Sequence, residues 1–136
     1  MRPHRIISRA LTALAAATTT STPHHGQEQA TTLGTILGAL FCASEPRVRA
    51  AALAVGGAGF GPAGLDPARH IARFAPRPLL FVNATRDDRI PRAHAEALHA
   101  AAAEPKQVLW FECGHADLPG RALKAMWGFL APHLAL

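Results

Sequence analysis

The sequence predicts an α/β domain built on three parallel strands with flanking helices. Short, nearly continuous apolar runs at 48–55, 79–82 and 107–111 alternate with longer segments of helical periodicity. The runs do not alternate apolar with polar residues, which marks strands covered on both faces, as in a parallel sheet. The chain has 136 residues and is 49% hydrophobic, enough for one core without cross-links. Its two cysteines, Cys42 and Cys113, are too few for a disulfide framework and read as reduced, buried thiols.

Residues 1–30 differ in composition from the rest and are expected to form a disordered or weakly helical leader. Arg2, Arg5 and Arg9 precede an Ala/Leu stretch, and a polar Thr/Ser segment follows. Arg9 interrupts the apolar stretch, so the match to a secretory signal is poor. That mismatch and the unpaired cysteines give a cytoplasmic expectation. His24 and His25 lie in this polar segment, where a flexible surface role is expected.

The domain is expected over 31–136. Residues 33–43 are apolar and small, with Gly34 and Gly38 allowing close approach to a neighbour, and Pro46 ends that helix. The first strand, 48–55, runs into Gly56-Gly57 and a loop to Gly64. Asp66-Pro67 supplies an N-cap and a first-turn proline for a short helix to Phe74. Pro76-Arg77-Pro78 breaks that helix before the second strand, 79–82. Pro91 opens a helix to about 103, with Ala95, Leu98 and Ala102 on one face. The third strand, 107–111, leads to Cys113-Gly114-His115. A last helix over 123–134 carries Leu123, Met126, Trp127 and Leu130 as an apolar stripe. By pattern, Trp110 and Trp127 are core anchors. Self-association is expected through an exposed sheet edge.

The net charge of +5 comes from 14 Lys and Arg against 9 Asp and Glu, scattered along the chain. Without a clustered basic stripe or interleaved aromatics, a nucleic-acid partner is not expected. No apolar run is long enough to span a bilayer, so no membrane partner is expected. His94, His99 and His133 lack partners at metal-ligand spacing, so neither metal nor cofactor is expected. Gly56-Gly57-Ala58-Gly59 is not a dinucleotide fingerprint.

In a parallel sheet, ligands bind beyond the carboxyl ends of the strands. Asp87 and Asp88 follow the second strand and His115 follows the third, so an acid and a histidine are expected side by side. A carboxylate there holds the imidazole tautomer and stabilises its protonated form. Read singly, Asp87 or Asp88 is a cap for the helix at Pro91, and His115 a loop residue.

With Pro76-Arg77-Pro78-Leu79-Leu80, Asp87-Asp88-Arg89-Ile90-Pro91 and Gly114-His115, residues 30–136 resemble the C-terminal half of an α/β-hydrolase. The likeness is to its dienelactone hydrolase and acetyl-xylan-esterase-like branches. The resemblance implies a partial α/β-hydrolase fold, hydrolysis of a carboxylic ester or lactone, and a small-molecule ester as substrate. Asp87 aligns with the family's acid and His115 with its base, in the family's order. Ala30-Thr31-Thr32-Leu33-Gly34 aligns with the Gly-x-Ser-x-Gly turn. Thr32 then stands at the nucleophile position and the Leu33 N–H at the oxyanion position, on a degenerate elbow with an incomplete triad. No earlier strands are recognisable in 1–30, so the chain reads as a hydrolase fragment. Its alternative is a non-catalytic remnant that binds or oligomerises.

Overall fold

The computed structural model describes the backbone of residues 11–15, 27–60 and 62–134, and the side chains from residue 34 onward within them. Four parallel strands lie in chain order: β1 (Leu11–Ala15), β2 (Val48–Ala54), β3 (Leu79–Ala84) and β4 (Lys106–Phe111). The three expected strands are present and adjacent. β1 is an addition, drawn from the segment expected to be a leader, and pairs with β2. Helix α1 (Gln27–Ser44) connects β1 to β2, α2 (Arg92–Ala101) connects β3 to β4, and α3 (Gly120–Leu130) follows β4. Residues 27–30 of that segment open α1, and 1–10 and 16–26, with His24 and His25, lie outside the described residues.

The side-chain period of two along each strand divides the core into two layers. Ala51 and Leu53 of β2 and Leu79 and Phe81 of β3 pack against Ala39, Cys42, Ile71, Phe74 and Leu98. Ala50, Ala52, Ala54, Leu80, Val82 and Ala84 face the other way, onto Ala122, Met126 and Leu130 of α3. β2 is rich in alanine, a weak strand former. Residues 50–54 are at most 1% exposed, and the lack of side-chain bulk lets helices approach both faces. The strand is set by its position, not its propensity.

Three local expectations change. The helix expected after Asp66 is instead two short 3-10 turns, Pro67–Arg69 and Ile71–Phe74, although the Asp66 carboxylate does accept from the Ala68 N–H. With proline in the first turn and only four residues in the second, neither turn extends far enough for an α-helical ladder. The last helix starts at Gly120 and ends at Leu130, before Pro132 removes a donor. Trp127 is 60% exposed and so not a core anchor, whereas Met126 beside it is fully buried. A stripe that includes both is wider than the face α3 buries. Trp110 is half-buried, with the Arg92 guanidinium over its ring.

The carboxyl end of β2 is tightly packed. The Thr35 hydroxyl of α1 donates to Ala54 O at 2.8 Å. A Cβ at Gly56 would lie 2.3 Å from the Thr35 Cγ2, so only glycine fits this approach. Between them Val55 holds a φ of +47°, a conformation that β-branched residues rarely adopt. It is 2% exposed, and its N–H donates to Val82 O, so packing and pairing hold the strained backbone.

Candidate active site

Parallel pairing of β3 with β4 ends with Ala84 opposite Phe111. The pairing continues into the following loops: Thr85 N–H donates to Phe111 O at 2.9 Å and Arg86 N–H to Cys113 O at 3.0 Å. The two loops therefore leave the sheet joined, and the next residues on each side meet. The Asp87 oxygens lie 2.9 and 3.0 Å from His115 Nδ1, across 28 residues of sequence. Both side chains are buried, 6% exposed for Asp87 and 3% for His115.

Backbone groups fix the acid. Asp87 Oδ1 accepts from the Arg89 N–H at 2.9 Å and the Ile90 N–H at 2.8 Å, forming the turn that delivers Pro91 to the start of α2. The two readings of this aspartate are thus both realised: it organises the turn before the helix and holds the histidine. Burial alone would raise its carboxyl. Hydrogen bonds from His115, Ile90 N–H and Arg89 N–H, with the His115 charge, outweigh that and hold it below the ordinary carboxylate range. Asp88 is turned to solvent, 78% exposed, with Arg89 at 3.9 Å.

An ionised carboxylate only accepts, so the pairing places the proton of a neutral imidazole on Nδ1 and leaves the lone pair on Nε2. His115 Nε2 is buried and has no hydrogen-bond partner among the described residues. A cleft of about 350 Å³ lies at this end of the sheet, lined by Arg86, Asp88, Arg89, Gly114, His115, Ala116 and Asp117. This is the geometry of a general base held by an acid.

The expected elbow is not a turn. α1 begins at Gln27, so the backbone at 30–34 is helical, and Thr32 and Leu33 lie in its second turn. Gln27, Glu28, Gln29 and Ala30 are good helix formers, and no proline or glycine interrupts them before Gly34. At the seventh position of the helix, the Leu33 N–H belongs to the helical ladder and is not a free oxyanion donor. The Thr32 side chain lies outside the described residues. Thr35 sits level with the carboxyl end of β2, the end of the sheet at which Asp87 and His115 follow β3 and β4.

Cys113 is no rival nucleophile. Burial, with Asp117 nearby, pushes its thiol up, and Sγ is directed at Phe111 O. Burial raises the Cys42 thiol to about 11. One buried polar pair lies outside the expected acid and base. His99 Nε2 meets Asn83 Oδ1 at 3.2 Å, and the ring packs between Phe81 and Trp110. Burial lowers this imidazole to about 4, so it is neutral. The available signal was its place beside Ala95, Leu98 and Ala102 on the apolar face of α2. Among the described residues no three His, Cys, Asp or Glu side chains converge on a metal position, and no helix is long and apolar enough to cross a membrane.

Solved structures share this arrangement of strands and helices. A cold-adapted esterase from an Arctic intertidal metagenomic library superposes with a TM-score of 0.67 at 20% identity, over 76% of this chain and 46% of its own. This is an α/β-hydrolase fold. The esterase domain of a Rhodothermus marinus protein gives 0.59 at 18% identity, over 73% of this chain and 54% of its own. An enol-lactonase from Burkholderia xenovorans gives 0.58 at 14%, over 76% and 63%. The chain thus spans about half the length of the solved α/β-hydrolase-fold structures it matches. No family model matches the sequence, and no curated protein matches it.

Proposed function

We propose that Asp87 and His115 are the acid and base of a site that hydrolyses a carboxylic ester or lactone, as in the dienelactone hydrolase and acetyl-xylan-esterase-like branches. The observation that carries this reading is the buried Asp87–His115 pair at the carboxyl edge of the sheet. Its neighbours in fold include two described as esterases and one as an enol-lactonase. In this reading His115 Nε2 takes the proton of a hydroxyl as that oxygen attacks the ester carbonyl. Asp87 stabilises the imidazolium, which returns the proton to the leaving alcohol. Thr32 is the hydroxyl that the family resemblance supplies. With Thr32 inside α1, its attack requires the first turns of that helix to unwind, and the Thr32 variants below test this.

The test is hydrolysis of p-nitrophenyl acetate by the wild type and by His115→Ala, Asp87→Asn, Thr32→Ala and Thr32→Ser. Loss of kcat/KM by about 10²–10⁴-fold is expected for His115→Ala. Asp87→Asn is expected to fall by a similar factor, and Thr32→Ser to exceed the wild type because the crowding methyl is gone. Equal rates in wild type and His115→Ala overturn the acid–base assignment. Equal rates in wild type and Thr32→Ala overturn the role of Thr32 alone.

A further inference from the structure

We propose that the outer edge of β4 is a dimer interface, on which a second copy of this chain adds its own β4 antiparallel, with the two-fold axis at Leu109. Backbone direction is the first ground. Pro105 O accepts from the Leu79 N–H and Phe111 O from the Thr85 N–H, so odd-numbered residues of β4 are turned toward β3. Alternation then turns the backbone groups of Lys106, Val108, Trp110 and Glu112 outward, with the Lys106 N–H donating to Glu104 Oε2 at 2.9 Å and the central Val108 and Trp110 carrying the new ladder. Among the described residues no strand pairs with this edge.

An antiparallel two-fold pairing centred on Leu109 sets Val108 opposite Trp110 of the second copy, and Lys106 opposite its Glu112. All four positions are outward-facing, so they fall on the hydrogen-bonded sites of the new ladder, and Leu109 faces itself at a non-hydrogen-bonded site. Moving the axis by one residue would make Val108 face itself or Trp110 face itself, and would remove the charge match.

Side-chain chemistry agrees. Edge strands in isolated proteins carry a central charge, a proline or a bulge. Between Lys106 and Glu112 this edge reads Gln-Val-Leu-Trp-Phe, with Val108 37% and Leu109 36% exposed. The charges stand at opposite ends, each beside its complement on the second copy. Lys106 is held in place by Nζ donating to His99 O at 2.6 Å and Ala102 O at 2.8 Å. Glu112 is exposed beside Arg86. The pairing sets an aromatic against a β-branched residue on the α2 face and joins the leucines on the α3 face.

Sedimentation equilibrium of the full chain at micromolar concentration tests this, with circular dichroism to confirm folding. A dimer is expected for the wild type. Glu112→Lys places like charges opposite each other twice and is expected to weaken it by about tenfold. The double variant Lys106→Glu/Glu112→Lys is expected to restore it. Register is read by cross-linking under copper phenanthroline. Leu109→Cys is expected to give a covalent dimer because the axis brings the two positions together, and Gln107→Cys none because its copies stand about 13 Å apart. A monomeric wild type overturns the proposal. So does a dimer indifferent to Glu112→Lys, or equal cross-linking at both positions. Either of those two results would point to the exposed apolar pairs Leu37/Phe41 or Leu123/Trp127.

Discussion

Replacing Gly56 with alanine probes how closely α1 sits on the carboxyl end of β2. The new Cβ would fall 2.3 Å from the Thr35 Cγ2 and 3.4 Å from the Thr35 Cβ. Thr35 is 2% exposed, and its hydroxyl is committed to Ala54 O. A threonine is stiff at χ1, so its methyl can leave only by rotating the hydroxyl away from that carbonyl or by moving the helix. Overpacking of this kind costs about 1–3 kcal/mol, and a lost buried hydrogen bond adds about 0.5–1.5 kcal/mol. Gly56→Ala is therefore expected to destabilise by about 2–4 kcal/mol. Thr35→Ser removes the clashing methyl, keeps the hydroxyl and costs about 1 kcal/mol by itself. On that background Gly56→Ala should cost less than about 1 kcal/mol, a coupling that independent sites do not show. The assay is urea unfolding by circular dichroism at one protein concentration. A cost below about 0.5 kcal/mol for Gly56→Ala, or additive costs in the double variant, would refute the reasoning.

His99 sets an acid limit on stability. Its imidazole titrates at about 4 folded against 6.5 unfolded, so the unfolded chain binds more protons between those values and stability falls as pH drops from 6.5 toward 4. At 1.36 kcal/mol per unit the loss reaches about 3 kcal/mol, and the difference between wild type and His99→Gln in urea midpoints at pH 7 and 4.5 reads it. Met126 and Trp127 are neighbours in sequence with opposite environments. Met126→Ala is expected to cost about 2–5 kcal/mol and Trp127→Ser to stay within about 0.5 kcal/mol of the wild type in thermal unfolding.

What was legible in the sequence were the features with local causes. Apolar runs bounded by Pro76, Pro78 and Gly56-Gly57 placed three strands, and the order Asp87 then His115 predicted their meeting, which parallel pairing of adjacent strands produces. β1 was not legible because five residues of Leu, Thr and Ala declare a strand only when β2 offers an edge to pair with. The elbow failed for a related reason. Alignment to a turn motif weighed Thr32 and Gly34, while backbone propensity at 27–30 favoured a helix running through them. Trp127 was misassigned because size and periodicity point to burial, and only the tertiary packing of α3 shows which edge of the stripe is left outside.

His115 follows β4, an edge strand among the described residues, and Asp87 follows β3, the strand inside it. Every opening of that edge which frees the loop at 112–115 also parts His115 from Asp87, so the lifetime of the pair is bounded by the fraying of β4. Amide exchange along β4 thus doubles as a clock for the site. Whatever slows exchange at Gln107 and Leu109, whose N–H groups face β3, lengthens the time the imidazole spends correctly held.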